Sequence, residues 1–280
     1  MLAQQDPMWA ILSDPSKKGR KWDPVSFFQL GETDINRLLG EVTATGFPLL
    51  RGTALDFGCG LGRLTQALCS HFDKCYGVDI SSTMLAEAAR YNRFGSACIY
   101  VLNDSPDLRC FENDTFDFIY SHLVLQHIPP DASKRYISEF VRVLKPGGLL
   151  IFQAPSAQCP MPGESAVSPN PDKSAAAAKL AGTFAKIKDA CSRFKATMRR
   201  EPANLHSMSD SLNNLEQLIG MYGIPREQVI KLIERARGNP VQVQEYNCSG
   251  PEWSSFRYWV TKSHVRSRTR LGFLSWPHRN

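Results

Sequence analysis

The stretch "TALDFGCGLGRLTQAL" (residues 53–68) sets Gly58, Gly60 and Gly62 at alternate positions between an apolar run and a helix-like run. Glycines at such a corner let the backbone come close to a ligand, because no Cβ stands in the way. The helix that follows offers N–H groups to an anion. Dinucleotide binding asks for Gly-x-Gly-x-x-Gly, and the sixth position here is Arg63. Asp56, two residues before the first glycine, would repel a diphosphate but can accept bonds from an ammonium group or a bound water. The corner therefore suits a zwitterion better than a diphosphate. Two histidines, His122 and His127, follow a later apolar run, and either could take a proton near neutral pH. The eight cysteines are scattered with no CxxC pair and no histidine pair at zinc spacing, so reduced thiols and no metal are expected.

Residues of this kind act only if something holds them. Short β-type runs at 53–57, 74–80, 98–102, 116–121 and 148–154 alternate with helical runs, the pattern of βαβ units and a parallel sheet. Helices are expected over 62–72, 81–93 with Ser81 as N-cap, and 131–144 with Asp131 as N-cap. Lys145-Pro146-Gly147-Gly148 then stops the helix and turns into the fifth strand. The front segment 22–42 reads as one or two helices, with Asp23-Pro24 and Thr33 as start signals. Phe27 and Phe28 are expected in the core, and Trp22 either there or in an apolar wall over the ligand. Past the fifth strand, residues 155–175 carry five prolines. Residues 173–200 follow, with Leu180, Phe184, Ile187, Cys191, Phe194 and Met198 on one helical face and a basic opposite face. A further helix is expected at 224–236, with Pro225 near its first position, and two antiparallel strands at 241–247 and 255–262 close the sheet. The division expected is an N-terminal helical segment (1–45), a core (46–154), an insert acting as a lid (155–210), a completion of the core (211–262) and a basic tail (263–280).

Composition narrows the class. Of the 280 residues 42% are hydrophobic and 21% charged, and no apolar run approaches the roughly 18 residues needed to span a bilayer. Positive charges follow the apolar residues at the N-terminus, and Asp6-Pro7 and Asp14-Pro15 interrupt it, so no signal peptide and a cytoplasmic address are expected. A net charge of +6, with both signs mixed through most of the chain, does not by itself indicate nucleic acid.

"LDFGCGLGRLT" resembles the first motif of the class I S-adenosylmethionine-dependent methyltransferases. "YGVDIS", "YVLNDSPDL", "FDFIYSHLVLQHIPP" and "FVRVLKPGGLLIF" resemble its later motifs in order across 53–152. The resemblance implies a Rossmann-like, seven-stranded, mostly parallel α/β sheet with helices on both faces, its last strand antiparallel, and a helical insert after strand five. It implies S-adenosylmethionine as cofactor and S-adenosylhomocysteine as product. Cofactor contacts are then expected from Asp56, Gly58, Cys59, Gly60, Gly62, Arg63, Asp79, Ile80, Met84, Asn103, Asp104, Ser105, Ser121 and His122. Asp79 would meet the ribose hydroxyls and Asn103, Asp104 and Ser105 the adenine. Methyl transfer is an in-line displacement that rests on positioning, with a base needed only if the acceptor loses a proton. His127 and His122 are the candidates for that role.

The Asn/Asp-Pro-Pro-Tyr/Phe run of base-amine methylation is absent, and Cys159-Pro160 is a poor match for a cytosine-attacking cysteine. A small organic acceptor, methylated at oxygen, nitrogen or carbon, is therefore expected, and the basic insert face suits an anionic one. The alternatives are an RNA or protein acceptor, suggested by Phe273 and Trp276 in the basic tail, and a non-catalytic S-adenosylmethionine-binding module.

Overall fold

The computed structural model describes residues 5–158, 220–246, 248–249 and 253–263. Most of the expected lid, its 173–200 helix and nearly all of the basic tail lie outside the described residues.

Seven strands form one sheet: β1 (Thr53–Phe57), β2 (Lys74–Asp79), β3 (Cys98–Leu102), β4 (Phe116–Ser121), β5 (Leu144–Gln158), β6 (Gly238–Glu245) and β7 (Trp253–Lys262). Their order is β3-β2-β1-β4-β5-β7-β6. The first five are mutually parallel, while β7 runs antiparallel to both β5 and β6. The expected sheet is therefore present, last strand included. β4 is buried at all six positions, "FDFIYS", as a central strand covered on both faces must be. The chain crosses from one side of β1 to the other between β3 and β4, which opens a crevice beyond the carboxyl ends of β1 and β4.

Helices cover both faces. Among the described residues they are α1 (Pro7–Ile11), α2 (Pro24–Ala44), α3 (Arg63–Cys69), α4 (Ser82–Tyr91), α5 (Pro130–Val143) and α6 (Arg226–Arg235). On one face Ile137, Phe140 and Val141 of α5 and Val229 and Ile233 of α6 pack against Leu150, Phe152 and Tyr258. On the other, Ile35, Leu38, Leu39 and Val42 of α2 and Ala67 and Leu68 of α3 pack against Phe118 and Ile151. Spacings of three and four put these apolar residues on one stripe of each helix.

Several local expectations change, among them the expected turn at Lys145–Gly148, which lies within β5. The front segment is one helix: Asp23 caps α2 through Ser26 N at 2.9 Å, and Thr33 turns its hydroxyl onto Gln29 O at 3.0 Å inside it. Pro129, not Asp131, sits at the N-cap of α5, with Asp131 in the first turn, where a carboxylate complements the helix dipole. β5 extends to Gln158 because Pro155, Ala157 and Gln158 stay paired with β7, across a register shift between 155 and 157. Phe27 and Phe28 are in the core as expected, at 0% and 5% exposure.

Candidate active site

The glycine loop joins β1 to α3. Gly58, Gly60 and Gly62 all have positive φ, at 79°, 52° and 75°, the region only glycine enters freely. A Cβ at Gly58 would lie 2.3 Å from Val124 Cγ2, one at Gly60 2.7 Å from Ile11 Cδ1, and one at Gly62 2.1 Å from the Tyr100 hydroxyl. Protein side chains thus already fill the space that glycine leaves open. The loop amides are also largely committed: Gly58 N and Cys59 N donate to Val78 O, Gly62 N to Cys59 O, and Gly60 N to Asp79 Oδ2 at 2.9 Å. An anion has fewer free N–H groups here than the sequence suggests.

Below the loop, Asp56 is 2% exposed and accepts from Thr65 Oγ1 at 2.6 Å. Burial raises its carboxyl to about 6 against the usual 3.8, although the Thr65 bond and Arg63 oppose the shift. Burial, with Asp56 and Asp79 adding, also pushes the Cys59 thiol up, so it stays protonated. Arg63, at the start of α3, is 6% exposed and pairs with Asp34 Oδ2 of α2 at 2.7 Å. Gly31 of α2 permits this approach, since a Cβ there would lie 2.5 Å from Arg63 O.

Beside the loop, Asp79 ends β2 and turns Oδ1 onto Ser81 N at 2.8 Å while Oδ2 holds Gly60 N. Ile80 next to it is 75% exposed, an apolar side chain without protein cover. Met84 is buried with Met8, Phe27, Phe28 and Leu61. Across from β2, Asn103 N donates to Asp79 O at 3.0 Å, and its side-chain amide donates to Asp107 O at 2.9 Å. Tyr136 of α5 donates to Ser105 O at 2.6 Å, so the segment bearing exposed Asp104 and Ser105 is held in place.

After β4, Ser121 is 1% exposed with no hydrogen-bond partner for Oγ among the described residues. Leu123 has φ 60°, unusual for a bulky residue and a local strain of the kind found where a site must be aimed. His122 stacks on Tyr120, with centroids 5.9 Å apart, and leaves Nε2 without a partner among the described residues. Burial, with Arg63 adding, lowers its imidazole to about 4. At neutral pH it is uncharged and a weak base, which argues against the proton-accepting role expected of it. A cavity of about 10 Å³, lined by Asp34, Arg37, Glu41, Tyr120, His122 and Arg257, adjoins it and holds no more than about one water molecule. Arg257 of β7 is paired with Glu41 and lies over the Tyr246 ring at 4.7 Å. His127 ends the short turn Leu125–His127 and is exposed. Val124, in contact range of Gly58, ties that turn to the glycine loop.

Several participants escaped the sequence reading. Asp34, Glu41 and Arg257 meet across more than 200 residues of chain, which no local pattern reports. The cover at Gly60 had a usable signal. Asp6-Pro7 is the N-cap and first position of α1, and Asp6 also accepts from Gly19 N and Arg20 N at 2.8 and 2.7 Å. Trp22, half-buried, donates to Leu12 O at 3.1 Å and so ties the same segment down. Among the described residues no group of three or more His, Cys, Asp or Glu side chains could hold a metal ion.

The family model for a methyltransferase domain matches residues 55–152. A ubiquinone biosynthesis O-methyltransferase of Thiobacillus denitrificans is 32% identical over 135 residues, 48% of this chain and 56% of that protein. Phosphoethanolamine N-methyltransferase 2 of Caenorhabditis elegans is 32% identical over 103 residues, 36% of this chain and 23% of that one. The chain thus spans little more than half of the first relative's length and less of the second's. The fold is similar to magnesium protoporphyrin IX methyltransferase of Synechocystis with bound S-adenosylhomocysteine, with a TM-score of 0.52 at 16% identity, covering 91% of this chain and 93% of that one. A S-adenosylmethionine-dependent methyltransferase of Clostridium acetobutylicum gives 0.52 at 17% identity, covering 91% and 98%. Residues 55–152, which carry the glycine loop and the first five strands of the sheet described above, thus match a methyltransferase domain.

Proposed function

We propose that this protein transfers the methyl group of S-adenosylmethionine to a small organic acceptor. The observation that carries the reading is the juxtaposition at the end of β2. The Asp79 carboxylate is held at the rim of the glycine loop by two backbone amides, and Ile80 beside it is 75% exposed. A fixed carboxylate next to an uncovered apolar side chain fits a sugar with its base. Ser121 Oγ, buried without a partner, supports a ligand at the end of β4.

In this reading Asp79 accepts from the ribose hydroxyls, while Ile80, Met84, Asn103, Asp104 and Ser105 border the adenine. Asp56, Gly58, Cys59, Gly60, Gly62 and Arg63 surround the methionine part, where Asp56 supplies a negative charge opposite a sulfonium and an ammonium. When bound, the cofactor supplies an electrophilic methyl carbon. Ser121 and His122 border that end, and His127 stands on the acceptor side of the turn that packs at Gly58. The names of the matched relatives, a ubiquinone biosynthesis O-methyltransferase and a phosphoethanolamine N-methyltransferase, support a small acceptor. Among the described residues no helix is long and apolar enough to cross a membrane. The reading further takes the acceptor as anionic and the address as cytoplasmic.

Calorimetry with S-adenosylmethionine, S-adenosylhomocysteine and NADH tests this. Asp79→Ala is expected to weaken S-adenosylhomocysteine by about 1–3 kcal/mol, a charge-assisted bond to a hydroxyl lost. Asp79→Asn, which keeps the acceptor oxygen, should lose less. Binding of NADH without either adenosyl ligand would remove the reading. Transfer of label from radioactive S-adenosylmethionine into a nuclease-treated, protein-free extract should identify the acceptor fraction, and label found only in RNA or protein would contradict a small acceptor.

A further inference from the structure

Behind His127 runs a chain of buried amides joined by one hydroxyl. Gln153 Nε2 donates to Ser249 Oγ at 2.7 Å, and Ser249 Oγ donates to Gln126 Oε1 at 3.0 Å. Gln126 Nε2 then lies 3.0 Å from His127 Nε2. Gln153, Gln126 and Ser249 are 1%, 7% and 9% exposed, and they come from β5, from the turn after β4 and from the residues before β7. The turn itself is held: Tyr222 N donates to Gln126 O at 2.9 Å, and Ser133 Oγ of α5 donates to Ile128 O at 3.0 Å. Nothing about packing requires three polar side chains in a row here. Apolar residues of the same size would fill the space without desolvating two amides.

The direction of the chain follows from counting protons. An amide nitrogen donates and cannot accept, so His127 Nε2 accepts, and the ring proton of the neutral imidazole sits on Nδ1. The opposite direction would turn both amides and move the ring proton to Nε2. It would also put the Gln153 amino group where its carbonyl oxygen now has no partner among the described residues. That exchanges an unpaired buried carbonyl for an unpaired buried N–H donor, the rarer and costlier of the two.

We infer that Gln126, Ser249 and Gln153 are positioning residues that lock His127 as the Nδ1–H tautomer, so that it meets the acceptor as a hydrogen-bond donor and not as a base. The acceptor part of this rests on the methyltransferase reading; the tautomer does not. With Nδ1 protonated, the ring's one basic lone pair, on Nε2, is turned to the Gln126 amide and not to the acceptor. The acceptor such a ring fits is an oxyanion, such as a carboxylate, which Nδ1–H can hold in line. An oxygen lone pair forms the new O–C bond as the C–S bond breaks, the released pair returns to sulfur, and no proton changes hands.

The test uses the full chain with ¹⁵N-labelled histidine, saturated with S-adenosylhomocysteine at pH 7.5. Long-range ¹H–¹⁵N correlation reads which ring nitrogen is protonated, with His127 assigned by its loss in His127→Ala. His127 is expected to be Nδ1–H in the parent protein. In Ser249→Ala, and more completely in Gln126→Leu, it should relax toward the Nε2–H form that a free imidazole prefers, with circular dichroism unchanged. An Nε2–H ring in the parent protein, or a tautomer indifferent to both substitutions, overturns the inference. Failure of the methyltransferase reading would appear separately, as absent S-adenosylhomocysteine binding with the tautomer pattern intact.

Discussion

Gly58→Ala is expected to destabilise the protein by about 2–5 kcal/mol, and Val124→Ala is expected to recover part of that loss. Two costs combine. An alanine held at a φ of 79° loses about 1–2 kcal/mol relative to glycine, because its Cβ crowds its own backbone. The same Cβ would lie 2.3 and 2.6 Å from the two Val124 methyl carbons, an overlap that costs about 1–3 kcal/mol to relieve. Val124→Ala removes both methyl carbons and leaves the backbone cost in place. Urea unfolding of the four proteins in a double-mutant cycle should therefore give a favourable coupling of about 1–3 kcal/mol. Additive losses would mean that Val124 is not what Gly58 accommodates. The cycle bears on the proposed function because Val124 precedes the turn that carries His127, so strain at Gly58 passes directly to that turn.

Asp56→Asn should have the opposite sign. The folded protein holds the Asp56 proton up to about pH 6, whereas an ordinary aspartate releases it near 3.8. Ionising it therefore costs stability as pH rises from about 4 to about 6, and above that window the folded state carries a penalty of about 3 kcal/mol. Asparagine keeps the shape and can still accept from Thr65 Oγ1, but it never carries the charge. The variant is expected to gain about 2–3 kcal/mol in urea unfolding at pH 8 and to gain little at pH 4, where aspartate is itself largely neutral. An equal difference at both pH values would show that burial is not what the carboxylate pays for. In return the variant should bind S-adenosylmethionine less well, with a smaller effect on S-adenosylhomocysteine, which lacks the sulfonium charge. A stabilising change that weakens cofactor discrimination marks a residue retained for function.

The sequence alone determined more of the frame than of the site. β1, β3 and β4 are legible to the residue, because each is a short apolar run bounded by turn residues in a parallel sheet. The glycine spacing, Asp56 and Asp79 likewise carry their meaning locally, since the loop that joins β1 to α3 is closed by bonds among near neighbours and the adjoining strand. Helix starts were read less well. Asp131 looked like a cap because caps favour aspartate, yet the Pro129 backbone took that place, and Thr33 spent its hydroxyl inside a helix already under way. What only the tertiary structure decided is everything that depends on contacts between distant segments. Ile11 and Val124 fill the space over Gly60 and Gly58, Arg63 and Arg257 are paired with Asp34 and Glu41 of α2, and burial lowers the His122 imidazole. The Gln153–Ser249–Gln126–His127 chain is the extreme case, with partners up to 123 residues apart. Hydrophobic period and turn chemistry are properties of neighbours along the chain. A hydrogen bond, an ion pair or a shifted pKa is a property of neighbours in space, and those exist only after the sheet has brought the carboxyl ends of its strands together.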